Sequence, residues 1–187
     1  MNTKLTSLFA IVLFFAAIAP ASASFIGAYD VSNWIPTGGT VNTLGAPDFI
    51  TLTSSDNGSG DASNVDFTIR ATAAGNVSFD WSYKTFDAGD DLNPGANASF
   101  YDPFGYLLNG FFTQLSPDDL VQFGTVSGSV LFAVNAGDVF GFRAHSTDSE
   151  LGSAVTTVSN FTVPEPATLA LMGLGLVGIG FRRRQAT

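Results

Sequence analysis

Hydrophobic and polar residues alternate with a period of two along much of the chain. Val65, Phe67 and Ile69 alternate with Asp66, Thr68 and Arg70. Val77, Phe79, Trp81 and Tyr83 alternate with Ser78, Asp80, Ser82 and Lys84. Successive side chains of a strand point to opposite faces, so both stretches predict strands with one buried face. Asp48 to Thr53 reads the same way, with Phe49 and Ile50 less cleanly placed. Thr125 to Val134 and Val139 to Ala144 predict two more strands, joined through Asn135-Ala136-Gly137-Asp138. Ala154 to Val163 predicts a closing strand of Val, Thr and Phe. Asn109-Gly110 between Tyr106-Leu107-Leu108 and Phe111-Phe112-Thr113 predicts a hairpin, because a type I′ turn needs positive φ at both central positions. No stretch between residues 24 and 163 carries a helical stripe, although Ser116-Pro117-Asp118-Asp119 could start one short turn. Thr53 to Asn64 and Asp87 to Asn97 are polar loops, and there is no internal repeat. Eight to ten short strands separated by Gly, Pro, Asn and Asp predict an all-β domain, a β-sandwich or jelly roll, over residues 24–163.

The two ends break this pattern. Lys4 precedes an apolar run from Leu8 to Ile18, and Ala21-Ser22-Ala23 is a small-x-small site. Residues 1–23 therefore read as a signal peptide with the mature chain starting at Ser24. Cleavage after Ala21 and a retained anchor are the alternatives, the latter disfavoured by a short run ending at Pro20. At the other end, Val163-Pro164-Glu165-Pro166 leads into an uncharged run from Ala167 to Phe181, closed by Arg182-Arg183-Arg184. As a helix this run would be about 22 Å long, short against a hydrocarbon core of about 30 Å. The arginines would remain on the cytoplasmic side and keep Glu165 and all before it outside.

Pro164-Glu165-Pro166, the short Gly-rich apolar stretch and the closing arginines together resemble the PEP-CTERM sorting signal. That family occurs on exported proteins of Gram-negative bacteria, usually makers of extracellular polysaccharide. The resemblance implies recognition by an exosortase, a membrane transpeptidase, with the tail over 164–187 removed near the Pro-Glu-Pro motif. It implies a passage through the inner membrane to the cell surface or extracellular matrix. It covers about residues 163 to 184, and the family shares its tail rather than its body. Val134 to Phe161 is loosely similar to the body of many such proteins and carries no catalytic residues.

Charge narrows the partners. Residues 24–163 hold fifteen acids against Arg70, Lys84 and Arg143, a formal net charge of −12. Such a surface repels nucleic-acid phosphates and anionic lipid, so no nucleic-acid partner is expected. It suits a binder of divalent cations or of neutral sugars. The chain has no cysteine, so its core must hold without disulfides in an oxidising compartment.

Candidate chemistry is sparse. His145 is the single histidine, which leaves any zinc site dependent on carboxylates. Asp138 and Asp148 are near it in sequence, but there is no Gly-x-Ser-x-Gly elbow and no phosphate-binding glycine loop. His145 therefore reads as a surface or turn residue and no catalytic residue is assigned. Asp87, Asp90, Asp91 and the amide of Asn93, with Asp102 downstream, supply hard oxygens on a glycine-containing loop, as Ca²⁺ requires. The spacing is not that of an EF-hand, and the same residues are common in solvated turns. A glycosidase needs two carboxylates across a cleft, and fifteen acids will always offer some pair. Among aromatics that could stack on sugars, Trp81 and Tyr83 follow the apolar face of their strand, and Tyr106 belongs to the hairpin. Trp34 and Tyr101 lie beside turns and are the residues expected to be exposed. Asn57, Asn76, Asn97 and Asn160 match the N-glycosylation pattern, which chance explains in a chain rich in Asn, Ser and Thr.

The expectation is an exported, non-enzymatic β-sandwich, structural or adhesive and associated with exopolysaccharide. The alternatives are a polysaccharide-active enzyme using an Asp pair and a calcium-dependent adhesion module.

Overall fold

The alternating stretches become strands, and the strands pair into two five-stranded antiparallel sheets. The structure, a computed structural model, describes residues 24–89, 95 and 97–163. The expected signal peptide and sorting tail lie outside these residues, as do Asp90, Asp91 and Asn93. The strands are β1 (Ile35–Thr37), β2 (Val41–Asn42), β3 (Phe49–Thr53), β4 (Ser63–Arg70), β5 (Gly75–Thr85), β6 (Phe104–Leu108), β7 (Phe111–Gln114), β8 (Thr125–Val134), β9 (Val139–Ser146) and β10 (Ala154–Thr162). One sheet has the order β1-β4-β9-β6-β7 and the other β2-β3-β10-β5-β8. A single helical turn, α1 (Ala98–Tyr101), precedes β6. Ser116–Asp119, where a turn of helix could have started, is irregular. Ser116 is instead tied to β6, its hydroxyl accepting from Phe104 N at 2.9 Å.

The buried faces meet as the alternation predicts. Val65, Phe67 and Ile69 of β4 and Phe140, Phe142 and Ala144 of β9 face Val77, Phe79, Trp81 and Tyr83 of β5 and Ala154, Val158 and Phe161 of β10. Gly128 of β8 makes room for Trp81, since a Cβ there would stand 3.0 Å from the indole. The hairpin forms as predicted: Leu108 pairs with Phe111, and Asn109 and Gly110 have φ of 51° and 84°. Tyr106 stacks on Phe132 of β8 at 4.4 Å, joining the two sheets.

Two features depart from simple alternation. Trp34, expected at the surface, is 4% exposed. Two 3-10 turns, Gly27–Tyr29 and Val31–Asn33, fold the leading segment under the sandwich. The indole then lies between Phe67 at 4.8 Å and Phe142 at 5.4 Å, near-parallel to both, and donates Nε1–H to Tyr29 O at 3.0 Å. A recess of about 430 Å³ borders it, but both ring faces are covered, so no sugar can stack there. The second departure is a bulge in β10. Ser159 pairs with Asp80 but Thr162 with Ser78, and Asn160 sits at φ 49° with its amide on Asp80 Oδ2 at 2.7 Å. The extra residue shifts the parity, so that Phe161 and Val163 turn inward.

These pairings give the sandwich two unlike poles. Phe25, next to the expected mature start, stacks on Phe161 at 4.7 Å, so both ends of the domain emerge at one pole. β10 runs from there for nine residues, about 30 Å. The opposite, distal pole gathers the ends of β3, β5 and β9 and the starts of β6 and β10.

Candidate functional site

The distal pole is polar where the terminal pole is filled by aromatic rings. Among the described residues the buried polar side chains are Ser54, Thr85, Asp87, Ser99, Asp102, Ser116, Ser146, Ser149 and Thr156, and all nine lie in the distal half. The hydroxyls are partnered. Ser54 Oγ accepts from Ala154 N at 2.7 Å, Ser146 Oγ from Ser149 N at 2.9 Å, and Thr85 Oγ1 from Asp87 N at 3.2 Å. Ser149 Oγ donates to Asp61 O at 2.8 Å.

The two carboxylates are not fully partnered. Asp87 follows β5, where Phe86 N donates to Ser153 O and Ala88 N to Leu151 O. Gly152, at φ 134°, lets this strand pass, for a Cβ there would stand 2.7 Å from Asp87 Cα. Asp87 Oδ1 accepts from Gly89 N at 2.5 Å, while Oδ2 has no hydrogen-bond partner. Asp102 ends α1, and its carbonyl accepts from Tyr83 Oη at 3.0 Å. Neither of its carboxylate oxygens has a hydrogen-bond partner. Each residue is 1% exposed.

Burial without compensation disfavours the charged form. Desolvation pushes the Asp102 carboxyl up to about 7; the Ser54 and Ser146 hydroxyls, close to the carboxylate though outside hydrogen-bond geometry, pull it back, and the charges of Asp87 and Asp148 add to the rise. Asp87 is pushed up to about 6 by desolvation, opposed by the Gly89 amide and assisted by Asp148 and Asp56. Four acids thus share one electrostatic neighbourhood. The ion pair of the described residues, Arg143 Nε to Asp66 Oδ1 at 2.7 Å, lies elsewhere, on the β4–β9 pair. Among the described residues no three His, Cys, Asp or Glu side chains are grouped to hold a metal ion.

Beside this pair runs an open groove of about 360 Å³, lined by Asn97, Phe100, Tyr101, Asp118 and Asp119. Ser99 joins its two walls: its N–H donates to Leu120 O and its Oγ accepts from Leu120 N at 3.0 Å. Phe100 is 50% exposed and stands perpendicular to Tyr101 at 5.4 Å. Tyr101 is half-buried. The groove therefore combines aromatic surface with carboxylate acceptors. Phe100 and Asp119 carried no sequence signal, because their meeting depends on the Ser99–Leu120 contact.

The remaining candidates are dispersed. His145, half-buried on β9, meets Asn64 Oδ1 through Nδ1 at 2.8 Å, and burial and the Arg143 charge lower its pKa. Asp138 is at the terminal pole, accepting from Asn135 N at 2.7 Å and Asn109 Nδ2 at 3.1 Å. A Ser-His-Asp triad through Asp138 does not assemble.

Residues 162–184 match the family model of the PEP-CTERM protein-sorting motif. The motif indicates an exported protein sorted at the membrane, and its first residue is the last of β10. No helix of the described residues is long and apolar enough to cross a membrane. No curated protein matches the chain. Similar solved structures include a family 35 carbohydrate binding module from Clostridium thermocellum (13% identity over 68% of this chain and 92% of that one, TM-score 0.34). Others are CBM35 from Paenibacillus barcinonensis (16%, 69% and 94%, TM-score 0.34) and TmCBM61 in complex with β-1,4-galactotriose (9%, 72% and 90%, TM-score 0.37). At such identities and scores these likenesses carry nothing about function.

Proposed function

We propose that this chain is an exported, non-catalytic module, recognised by an exosortase-type transpeptidase at Val163-Pro164-Glu165-Pro166 and released to the cell surface or extracellular matrix. The observation that carries this reading is the sorting motif joined to β10 without a spacer. Val163 is still a core residue, so a cut near Pro166 leaves a stub of about three residues outside the sandwich. The N-terminal signal leaves from the same pole, where Phe25 packs on Phe161. Until they are removed, both signals therefore hold the same pole to the membrane, and the distal pole points outward.

The distal groove suits an extracellular polysaccharide. A sugar ring can lie on the exposed face of Phe100 or against Tyr101 while its hydroxyls donate to Asp118 and Asp119. The acidic surface selects neutral or amino sugars over polyanions. The enzyme reading would choose the carboxyls with raised pKa values, Asp87 and Asp102. Both are buried, out of reach of a glycosidic bond, which needs carboxyls flanking an open cleft.

Intact mass of the protein from its native host tests the sorting reading. A species running from Ser24 to near Pro166, found outside the membrane, is expected. A species that retains Arg184 and stays in the membrane would overturn it. For the groove, Tyr101→Ala and Phe100→Ala should lower retention on the host's exopolysaccharide severalfold while leaving the melting temperature nearly unchanged. Equal retention by wild type and both variants would rule the groove out.

A further inference from the structure

We propose that the distal pole binds a divalent cation, of the calcium class, through the side chains of Asp87 and Asp102. This is independent of the sorting and saccharide readings. Three carboxylate oxygens, Asp87 Oδ2 and both of Asp102, are buried without a hydrogen-bond partner. Native proteins leave few such atoms, and a buried carboxylate without a counter-charge is among the costliest groups to hold. Ser54, Ser146 and Thr85 accept from main-chain N–H groups, and a hydroxyl, whatever it donates, supplies no positive charge to balance these two acids. No basic group figures among the charges felt by either carboxyl: Asp87 feels Asp148 and Asp56, and Asp102 feels Asp87 and Asp148.

The chemistry selects the ion. Every available donor is a hard oxygen. His145 is engaged with Asn64 and the chain lacks cysteine, which removes the usual zinc ligands. Mg²⁺ sheds water reluctantly and holds to an octahedron, so a dry site fits it poorly. Ca²⁺ accepts six to eight oxygens in flexible geometry, carboxylates binding through one or both oxygens, the rest coming from main-chain carbonyls and water. Two carboxylates match its charge. With only two, the affinity belongs to the weak extracellular class, with Kd of about 10⁻⁴ to 10⁻³ M. The sequence suggested Asp87 with Asp90, Asp91 and Asn93, and Asp102 downstream; the fold places Asp102 within reach of the Asp87 charge, while Asp90, Asp91 and Asn93 lie outside the described residues.

The competing occupant is a proton, and the test separates the two. The full-length chain, purified in detergent and freed of metal with a chelator, is melted near neutral pH with and without millimolar calcium or magnesium. Terbium luminescence, sensitised through Tyr83, whose hydroxyl donates to Asp102 O, reads the site directly. Calcium should raise the melting temperature by several degrees, as a ligand specific to the folded state must, with magnesium giving less than half of that rise. Calcium should displace terbium. Asp102→Asn should abolish both effects while melting no lower than wild type in chelator. Asp48→Asn, an exposed acid at the other pole, should leave both intact. If Asp102→Asn does not fold, Asp87→Asn and terbium displacement from the wild type carry the same test. Coincident melting in calcium and chelator, or terbium luminescence untouched by loss of either acid, would overturn the proposal and assign the pair to a proton.

Discussion

The two halves of this sandwich handle burial in opposite ways. The terminal half is filled by rings: Phe25, Tyr29, Trp34, Phe140, Phe142 and Phe161 pack at centroid distances of 4.7 to 6.4 Å. The distal half holds every buried polar side chain of the described residues, including two under-partnered carboxyls. The first arrangement gains its stability mainly from area and dispersion, and it sits where the described chain begins and ends. The second gives up stability near neutral pH, because burial disfavours the charged form of both carboxyls. Under the proposed readings, stability and binding fall to separate ends.

Three changes probe that contrast, beginning with the largest. Trp34→Ala removes the ring held between Phe67 and Phe142 and should cost about 3–5 kcal/mol, measured by urea unfolding. A loss under about 1 kcal/mol would show that the neighbouring rings collapse into the space. The next effect is on pH dependence. Asp87 and Asp102 have folded pKa values raised to about 6 and about 7 from 3.8. At these two carboxyls the folded chain binds more protons than the unfolded one between about pH 4 and pH 7, so in chelator their effect is a fall in stability as pH rises through that window, opposed in its upper part by the single group His145, whose lowered pKa acts the other way. Asp102→Asn should flatten the upper part of the fall, and calcium should offset it in the wild type. Stability in chelator that rises over the same window would contradict the burial of both carboxyls. The smallest effect is expected for Leu44→Ser. Leu44 is 93% exposed near the terminal pole, and the change should stay within about 0.5 kcal/mol. A larger loss would mean that this pole is covered by something further.

Much of the sandwich is legible in the chain. β4 and β5 follow from strict alternation, and the Asn109-Gly110 hairpin follows from the φ requirement of its turn. Other features have no local signature. Trp34 lies among Val31, Ser32, Asn33 and Pro36, with no alternation to indicate its side, and it is buried because rings from β4 and β9 close over it. β10 reads as a regular strand, yet strict alternation from Val158 would turn Asn160 inward and Phe161 outward. The bulge reverses this by placing Asn160 at positive φ, which asparagine tolerates better than most residues.

The sequence by itself determined eight of the ten strands (all but β1 and β2), the hairpin, the acidic balance and the sorting motif at 162–184, because each rests on local spacing or composition. Only the tertiary structure decided which acids lose their water. Asp87 and Asp102 look no different in the chain from Asp48 or Asp119. Desolvation depends on what packs over a carboxyl from distant segments, here the ends of five strands from two sheets, and no local pattern records that.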